Sequence, residues 1–192
     1  MSIFAIIMFA ATLYFAYQIF RHVQSLEDTL PHDNEPSTRT IDVNTLTVEA
    51  DEAYEKEDFK TAQEKLGQAY LLEPKNLEIL NKLAFIHGKR GDVQLAIDLY
   101  NRSLGMDESD DVVHNALASM YRTKGSLILA KEHYEKALSI DDAYAVTYYN
   151  YANLLVDLGE NDQAQAMYLR ALELDSEMNE AREALENLRN VQ

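Results

Sequence analysis

The sequence of 192 residues contains no cysteine, and glycine and proline are scarce, with six and three residues. Without cysteine the protein has no disulfide, no thiolate metal site and no cysteine nucleophile. The few glycines and prolines leave most potential helices uninterrupted, and Ala, Leu, Glu, Asp and Lys favour helix formation. The composition therefore predicts an all-α protein.

Positive charge is also scarce, since 17 Lys and Arg stand against 33 Asp and Glu, which gives a formal net charge of −16. Such a surface repels phosphate groups, so nucleic acid is not an expected partner. The hydrophobic fraction of 47% is that of an ordinary globular protein, and the length allows one well-buried domain plus an appendage. We therefore expect a folded, acidic protein.

Residues 1–20 contain no charged side chain. A helix of this length is about 30 Å long, which matches the hydrocarbon core of a bilayer. Tyr14 and Tyr17 lie towards its C-terminal end, where aromatic rings favour the membrane interface. We predict a transmembrane anchor over residues 1–21, with membrane contact through residues 1–20. A cleaved signal peptide is the alternative, but the apolar run has no basic segment before it and no small-residue cleavage site after it.

The residues that follow the apolar run predict the topology and a linker. Arg21 comes directly after the run and no Lys or Arg precedes it, so the positive-inside rule places the following domain on the cytoplasmic face. Export of the domain is the alternative. Residues 22–42 are polar, include Pro31 and Pro36, and show no apolar period, which predicts a flexible linker.

Beyond the linker the sequence repeats itself every 34 residues. Two series of alanines share this spacing, namely Ala50, Ala84, Ala118 and Ala152, and Ala62, Ala96, Ala130 and Ala164. In three of the four units a glycine lies between the two series, where a helix end needs a left-handed residue: Gly91, Gly125 and Gly159. A leucine or tyrosine follows the second series by one helical turn, at Leu66, Tyr100, Tyr134 and Tyr168. Each unit is predicted to be two helices joined by a turn.

The third unit has the clearest motif, with Leu117-Ala118-x-x-Tyr121, Ala130-x-x-x-Tyr134 and Ala137-Leu138. It resembles the tetratricopeptide-repeat family, whose 34-residue unit has an aromatic-x-x-Leu-Gly/Ala-x-x-Tyr run, then Ala-x-x-x-aromatic, then proline. The resemblance covers residues 43–176 and implies a right-handed α-solenoid of four helical hairpins. These units 1 to 4 are residues 43–76, 77–110, 111–144 and 145–178. Residues 179–192 have apolar side chains at helical spacing and are predicted to form a capping helix.

The first unit departs most from the family pattern. It has Glu49 where leucine is expected and Glu57 in place of the turn glycine, although Pro74 closes it as the family proline does. The second unit has Ser103 where alanine is usual. We expect the alanines of both series to be packing positions, because two helices approach closely only where a side chain is short.

An enzymatic role is not predicted. The candidate acid–base residues are the five histidines, and they lie in no recognisable catalytic or metal-ligand motif: His22, His32, His87, His114 and His133. His87 and His114 occupy places where the repeat usually has a packing aromatic, so we expect them to be structural. The sequence has no glycine-rich phosphate loop and no calcium-loop spacing, and neither a cofactor nor a metal is predicted.

The resemblance implies that the first helices of the units line a concave groove that takes an extended peptide or a partner helix. The inward-facing positions that follow from it are Asn81, Lys82, Phe85, Lys89, Asn115, Ser119, Arg122, Tyr149, Asn150 and Asn153. An asparagine amide can both donate to and accept from a peptide backbone, although ordinary polar residues of a helix surface are the alternative. The basic residues of this set predict a preference for a segment with some negative charge. Only fragments of the family's two-carboxylate clamp are present, so chaperone docking is not expected.

Three classes of function remain open, and in each the partner is a protein or peptide. The chain resembles bacterial proteins in which an N-terminal membrane helix precedes the repeats. It is therefore predicted to be a single-pass scaffold or assembly factor of the bacterial inner membrane, with its repeats in the cytoplasm. One alternative is an exported, periplasm-facing chaperone-like repeat protein. The other is a permanent structural subunit of a membrane-bound machine.

Overall fold

The computed structural model describes residues 42–191, and every regular element in this part of the chain is a helix. The nine helices are α1 (Val43–Glu55), α2 (Phe59–Leu72), α3 (Leu77–Arg90), α4 (Val93–Leu104), α5 (Asp111–Thr123), α6 (Leu127–Ile140), α7 (Ala145–Asp157), α8 (Asn161–Leu174) and α9 (Asn179–Val191). The predicted membrane anchor and all but the last residue of the predicted linker lie outside the described residues. Between residues 42 and 191 no helix is both long enough and apolar enough to cross a bilayer.

Helices α1 to α8 form four hairpins, and each hairpin is closed by the same turn. At Gly91 the backbone φ is 85°, the Gly91 N–H donates to the Gly88 carbonyl at 3.1 Å, and the Asp92 N–H donates to the His87 carbonyl at 2.9 Å. This pair of bonds satisfies carbonyls at the helix end that have no partner within the helix. Gly125 and Gly159 have φ values of 81° and 75°, so the predicted turn glycines are confirmed.

Unit 1 makes the same turn without glycine. Glu57 adopts a left-handed φ of 58°, and the next N–H, that of Asp58, donates to the Ala53 carbonyl at 2.9 Å. A side chain in this conformation costs about 1 kcal/mol relative to glycine. The other departure in this unit is also accommodated, because Glu49 forms an ion pair with Lys65 of α2. Unit 1 therefore has the same hairpin as the other units.

The two alanine series lie at the helix contacts, as predicted. All eight residues have exposed fractions of 0 or 1%: Ala50, Ala62, Ala84, Ala96, Ala118, Ala130, Ala152 and Ala164. The larger side chains one turn later are buried beside them, with Leu66 at 2%, Tyr100 at 4%, Tyr134 at 1% and Tyr168 at 2%. Small side chains thus set the distance between helices, and large ones fill the space beside them.

The apolar core runs through the whole stack, because each of its clusters joins neighbouring units. Leu46 and Leu66 of unit 1 pack with Ile79 and Ile86 of unit 2, and equivalent clusters join the later units. At the C-terminal end, α9 packs on α8 and contributes a buried apolar face formed by Ala181, Leu185 and Leu188.

Helix α9 has a polar outer surface. Glu186 lies 34 residues after Ala152, the last small residue of the first alanine series, and its side chain is exposed. A glutamate at this position prevents the close approach that a further helix would need. Within the described residues, α9 thus covers the last hairpin with its apolar face and presents charged side chains on its other side.

Candidate functional site

A cavity of about 550 Å³ lies along one face of the stack. It is bounded by α3, α5 and α7, which are the first helices of units 2, 3 and 4. The side chains and backbone of the following residues line it: Asn81, Lys82, Phe85, Gly88, Lys89, Tyr100, Val112, Val113, Asn115, Ala116, Ser119, Met120, Val146 and Asn150. Only Tyr100 comes from a second helix.

A second cavity of about 190 Å³ lies beside the first, between α1 and α3. Lys82 and Phe85 line both cavities, so the two are neighbours along the stack. Together they follow the first helices of all four units. We call the two cavities and their lining residues the groove.

Seven of the ten residues predicted for the groove line it: Asn81, Lys82, Phe85, Lys89, Asn115, Ser119 and Asn150. The other three, Arg122, Tyr149 and Asn153, do not line either cavity and are engaged in contacts between helices. The Arg122 Nε donates to Asp157 Oδ2 at 2.5 Å, which joins unit 3 to unit 4. Asn153 Oδ1 accepts from the Tyr168 hydroxyl at 2.6 Å, and the Tyr149 ring lies beside the Tyr168 ring with centroids 6.1 Å apart.

The apolar part of the groove was not predicted. Val112, Ala116 and Met120 of α5 line it, and Val146 of α7 completes this wall. Val112 is 55% exposed and Phe85 is 41% exposed, and both lie beside the other apolar residues that line the cavity, so they form an apolar patch. The repeat offered a signal for this surface, because Val112 and Val146 are 34 residues apart.

Asparagine amides form the polar part of the groove. The Asn150 Nδ2 donates to Asn115 Oδ1 at 3.2 Å, so that α7 and α5 are joined across the cavity. The Asn81 Nδ2 donates to Asp110 Oδ2 at 3.4 Å. The bond between Asn115 and Asn150 uses one group of each amide, which leaves the Nδ2 of Asn115 and the Oδ1 of Asn150 to offer to a ligand.

The basic residues of the predicted groove are mostly neutralised within the protein. The Lys82 Nζ lies 2.8 Å from Asp51 Oδ2 and 3.1 Å from Glu78 Oε1. Partial burial acts to lower the pKa of Lys82, but the hydrogen bonds to these two carboxylates raise it above its ordinary value. The hydrogen bond to Asp157 likewise raises the pKa of Arg122. Lys89 lies over the Phe85 ring at 5.3 Å and forms no ion pair with any residue from 42 to 191.

The histidines expected to be structural are buried. His87 is 5% exposed and its Nδ1 lies 3.1 Å from Asp92 Oδ2, and His114 is 7% exposed and contacts His133. In the part of the chain that the structure describes, no three His, Asp or Glu side chains come together as a group that could hold a metal ion.

Comparison with protein families shows which family this architecture matches. Two family models, both described as tetratricopeptide repeat, match residues 47–111 and 110–177. The chain belongs to the tetratricopeptide-repeat family. The two matches together run from within α1 to residue 177, so they include residues of all four hairpins and end before α9.

Solved structures share the tetratricopeptide fold at low sequence identity. MamA residues 41 to the end from Desulfovibrio magneticus RS-1 are 15% identical, with a TM-score of 0.66 over 76% of this chain and 82% of that chain. YrrB, a tetratricopeptide protein with an unusual peptide-binding site, is 17% identical, with a TM-score of 0.65 over 77% and 76%. The first repeat domain of Spaghetti (RPAP3), bound to an HSP90 peptide, is 23% identical, with a TM-score of 0.58 over 60% and 91%. No curated protein sequence matches the chain significantly.

Proposed function

We propose that the repeat domain is a protein-binding scaffold whose groove holds a segment of a partner protein. The cavity of about 550 Å³ between α3, α5 and α7 carries this proposal. Its size is within the range of ligand sites, and it exposes large apolar side chains beside a few convergent amides. Burial of apolar surface against a partner stabilises a complex by about 25 cal/mol per Å² removed from water, before the costs of association.

The lining residues favour a particular chemistry in the partner segment. The valine, alanine and methionine side chains of α5 and α7 fit apolar side chains. Asn115 and Asn150 can hydrogen-bond to the backbone of the bound segment. Lys82 already has two carboxylate partners, which leaves Lys89 as the main source of any preference for negative charge. We therefore propose an apolar segment, in which an acidic residue near Lys89 adds to affinity.

A charge placed in the groove should weaken partner binding. We expect Val112→Glu to reduce affinity at least tenfold, because a carboxylate would have to lose its hydration among apolar side chains. Ile128→Glu is a matched control. Both residues are exposed, at 55% and 67%, both are β-branched, and both are the second residue of their helix, where glutamate is tolerated.

The measurement is affinity capture of partners from solubilised membranes with the full-length protein, followed by a Kd for the partner recovered. The proposal predicts a partner that Ile128→Glu retains within about twofold and Val112→Glu loses. A partner lost with Ile128→Glu and retained with Val112→Glu would place the binding surface on the second helices.

We infer that residues 1–20 hold this scaffold at a membrane. Their twenty uncharged residues support the proposal, and Arg21 favours a cytoplasmic position of the repeats. On this basis the protein is a membrane-anchored scaffold or assembly factor.

The anchor predicts the behaviour of the protein in fractionated cells. The full-length chain should stay in the membrane pellet after alkaline extraction and keep residues 1–20, and deletion of residues 1–21 should release it. A mature N-terminus beyond residue 20 would contradict the anchor. A C-terminal fluorescent reporter that folds only in the cytoplasm tests the topology, and a dark fusion would favour the exported alternative.

A further inference from the structure

A pair of histidines joins the two helices of unit 3. His114 of α5 is 7% exposed, and its Nδ1 lies 2.9 Å from Nδ1 of His133 of α6. On the other side of the ring, the His114 Nε2 lies 3.1 Å from the backbone carbonyl oxygen of Glu108. Tyr121 stacks on the His133 ring with centroids 5.4 Å apart. Neither histidine lines the groove.

These contacts determine where the protons of the pair lie. A carbonyl oxygen only accepts, so the His114 Nε2–H donates to Glu108, and the Nδ1 of neutral His114 is an acceptor. His133 then donates its Nδ1–H to His114. One added proton can bind Nε2 of His133 without disturbing this bond. A second added proton must go to Nδ1 of His114, where two N–H groups would face each other across 2.9 Å.

We propose that this histidine pair is a pH-sensitive link between α5 and α6. The hydrogen bond between the two rings forms when the pair carries no added proton or one added proton, and it is lost when the pair carries two. In the unfolded chain both rings bind a proton near the ordinary histidine pKa of about 6.5. The folded protein therefore binds fewer protons than the unfolded chain at acidic pH. By linkage, acid favours the unfolded state.

The direction of the His133 pKa agrees with this account. Burial, and secondly the nearby His114, lower the pKa of His133 below its ordinary value. A base whose pKa is lowered by folding contributes stability that is fully present above the unfolded pKa. That stability is lost as the pH falls below about 6.5 towards the lowered pKa.

Within residues 42–191 no carboxylate oxygen is hydrogen-bonded to either ring of the pair. Among residues 42–191 no carboxylate forms an ion pair with either ring, and Glu108 presents its backbone carbonyl. Tyr121 contributes an uncharged ring. Several charged side chains of α5, α6 and the adjoining helices have other partners: Asp110 with the Val113 N–H, Lys131 with Glu160, Glu135 with Tyr151, Arg102 with the Tyr70 ring, and Asp157 with Arg122. The other charged residues of α5 and α6 near the pair in sequence are Asp111, Glu132 and Lys136.

His87 has the opposite environment and provides a control. It is as buried as His114, at 5%, but its Nδ1 lies 3.1 Å from the carboxylate of Asp92. The ring of His87 thus contacts a carboxylate and not a second imidazole, and its replacement leaves the histidine pair of unit 3 intact.

Loss of the link would also affect the groove, because α5 supplies Val112 and Asn115 to it. Partner binding should therefore weaken in the same pH range. This consequence rests on the proposed function. The experiment below needs no partner, so its failure is distinguishable from failure of the groove proposal.

The test is thermal unfolding of the full-length protein in one mild detergent, followed by circular dichroism at pH 7.5 and 5.5. Asparagine can replace one hydrogen bond of an imidazole but does not titrate. We expect the Tm of the wild type to fall by about 3 to 6 °C more than that of His133→Asn, because the introduced amide can turn its oxygen towards a protonated Nδ1 of His114, so that no two N–H groups face each other. His87→Asn is the control that leaves the pair intact, so the Tm of this variant should also fall more between pH 7.5 and 5.5 than that of His133→Asn.

Equal falls in the wild type and His133→Asn would overturn the proposal. If that variant does not fold, long-range ¹H–¹⁵N spectra of the wild-type imidazoles give the same test. The expected result is one unprotonated Nδ1 in the pair down to pH 5.5 while the protein stays folded. Full protonation of both rings in the folded protein would overturn the link.

Discussion

Replacement of Tyr134 by alanine is expected to lower the free energy of unfolding by about 3 to 5 kcal/mol, the range for loss of a large aromatic side chain from a core. Tyr134 is 1% exposed, and its ring stacks on Tyr151 of the next unit with centroids 5.7 Å apart. The side chain thus joins units 3 and 4. Its burial also raises the pKa of the phenol to about 12.

The measurement is urea unfolding at pH 7.5, followed by circular dichroism. Tyr144→Ala provides the control, because this tyrosine is 41% exposed and its loss should cost less than about 1 kcal/mol. If the two variants lose equal stability, Tyr134 does not occupy the core position that the repeat assigns to it.

An enlarged side chain at Ala118 is expected to have the next largest effect. Ala118 is 0% exposed and belongs to the buried cluster that joins units 3 and 4, so Ala118→Leu should destabilise the domain by about 1 to 3 kcal/mol. Ala116 is two residues away on the same helix, where it lines the groove and is only partly buried at the edge of the core. Ala116→Leu should therefore leave the unfolding midpoint almost unchanged.

The same unfolding experiment compares the two alanine variants. A loss for Ala118→Leu alone supports the assigned register of the repeats. Similar losses at both positions would mean that α5 is rotated from the orientation described, which would also move Val112 and Asn115 out of the groove.

The features that the sequence predicted well are those that depend on one residue type at a fixed spacing. A buried contact between helices admits only a short side chain, and a left-handed turn favours glycine. The recurrence of alanine and glycine every 34 residues therefore indicated that Ala118 is a packing position and that Gly125 is a turn residue. Glu57 shows the limit of this reasoning. The surrounding hairpin holds this glutamate in the same left-handed turn, although a residue with a side chain disfavours that conformation.

The groove was predicted in part, for a physical reason. The repeat indicates which helix faces the groove, and Asn115 and Asn150 both line the cavity. The repeat does not determine which neighbouring residue a long side chain contacts. Arg122 forms a hydrogen bond with Asp157, which is 35 residues away, and this pairing could not be predicted from a single sequence. Lys82 lies in the groove, but its ammonium group forms ion pairs with Asp51 and Glu78.

The contact between His114 and His133 could not be predicted either. The two residues are 19 positions apart on facing helices, and the repeat has no histidine pattern that relates them. Both were interpreted only as separate residues. Their significance depends on the distance between two nitrogens, which only the folded hairpin defines.

The central claim is that the partner binds in the groove and not on the second helices. Site-specific photo-crosslinking in intact cells tests this most directly, with a photoreactive phenylalanine derivative in place of Ser119, which lines the groove, or of Glu132, which is exposed on α6. The account predicts one defined crosslinked partner from position 119, lost when Val112→Glu is added, and none from position 132. A defined crosslink from position 132 with none from position 119 would contradict it.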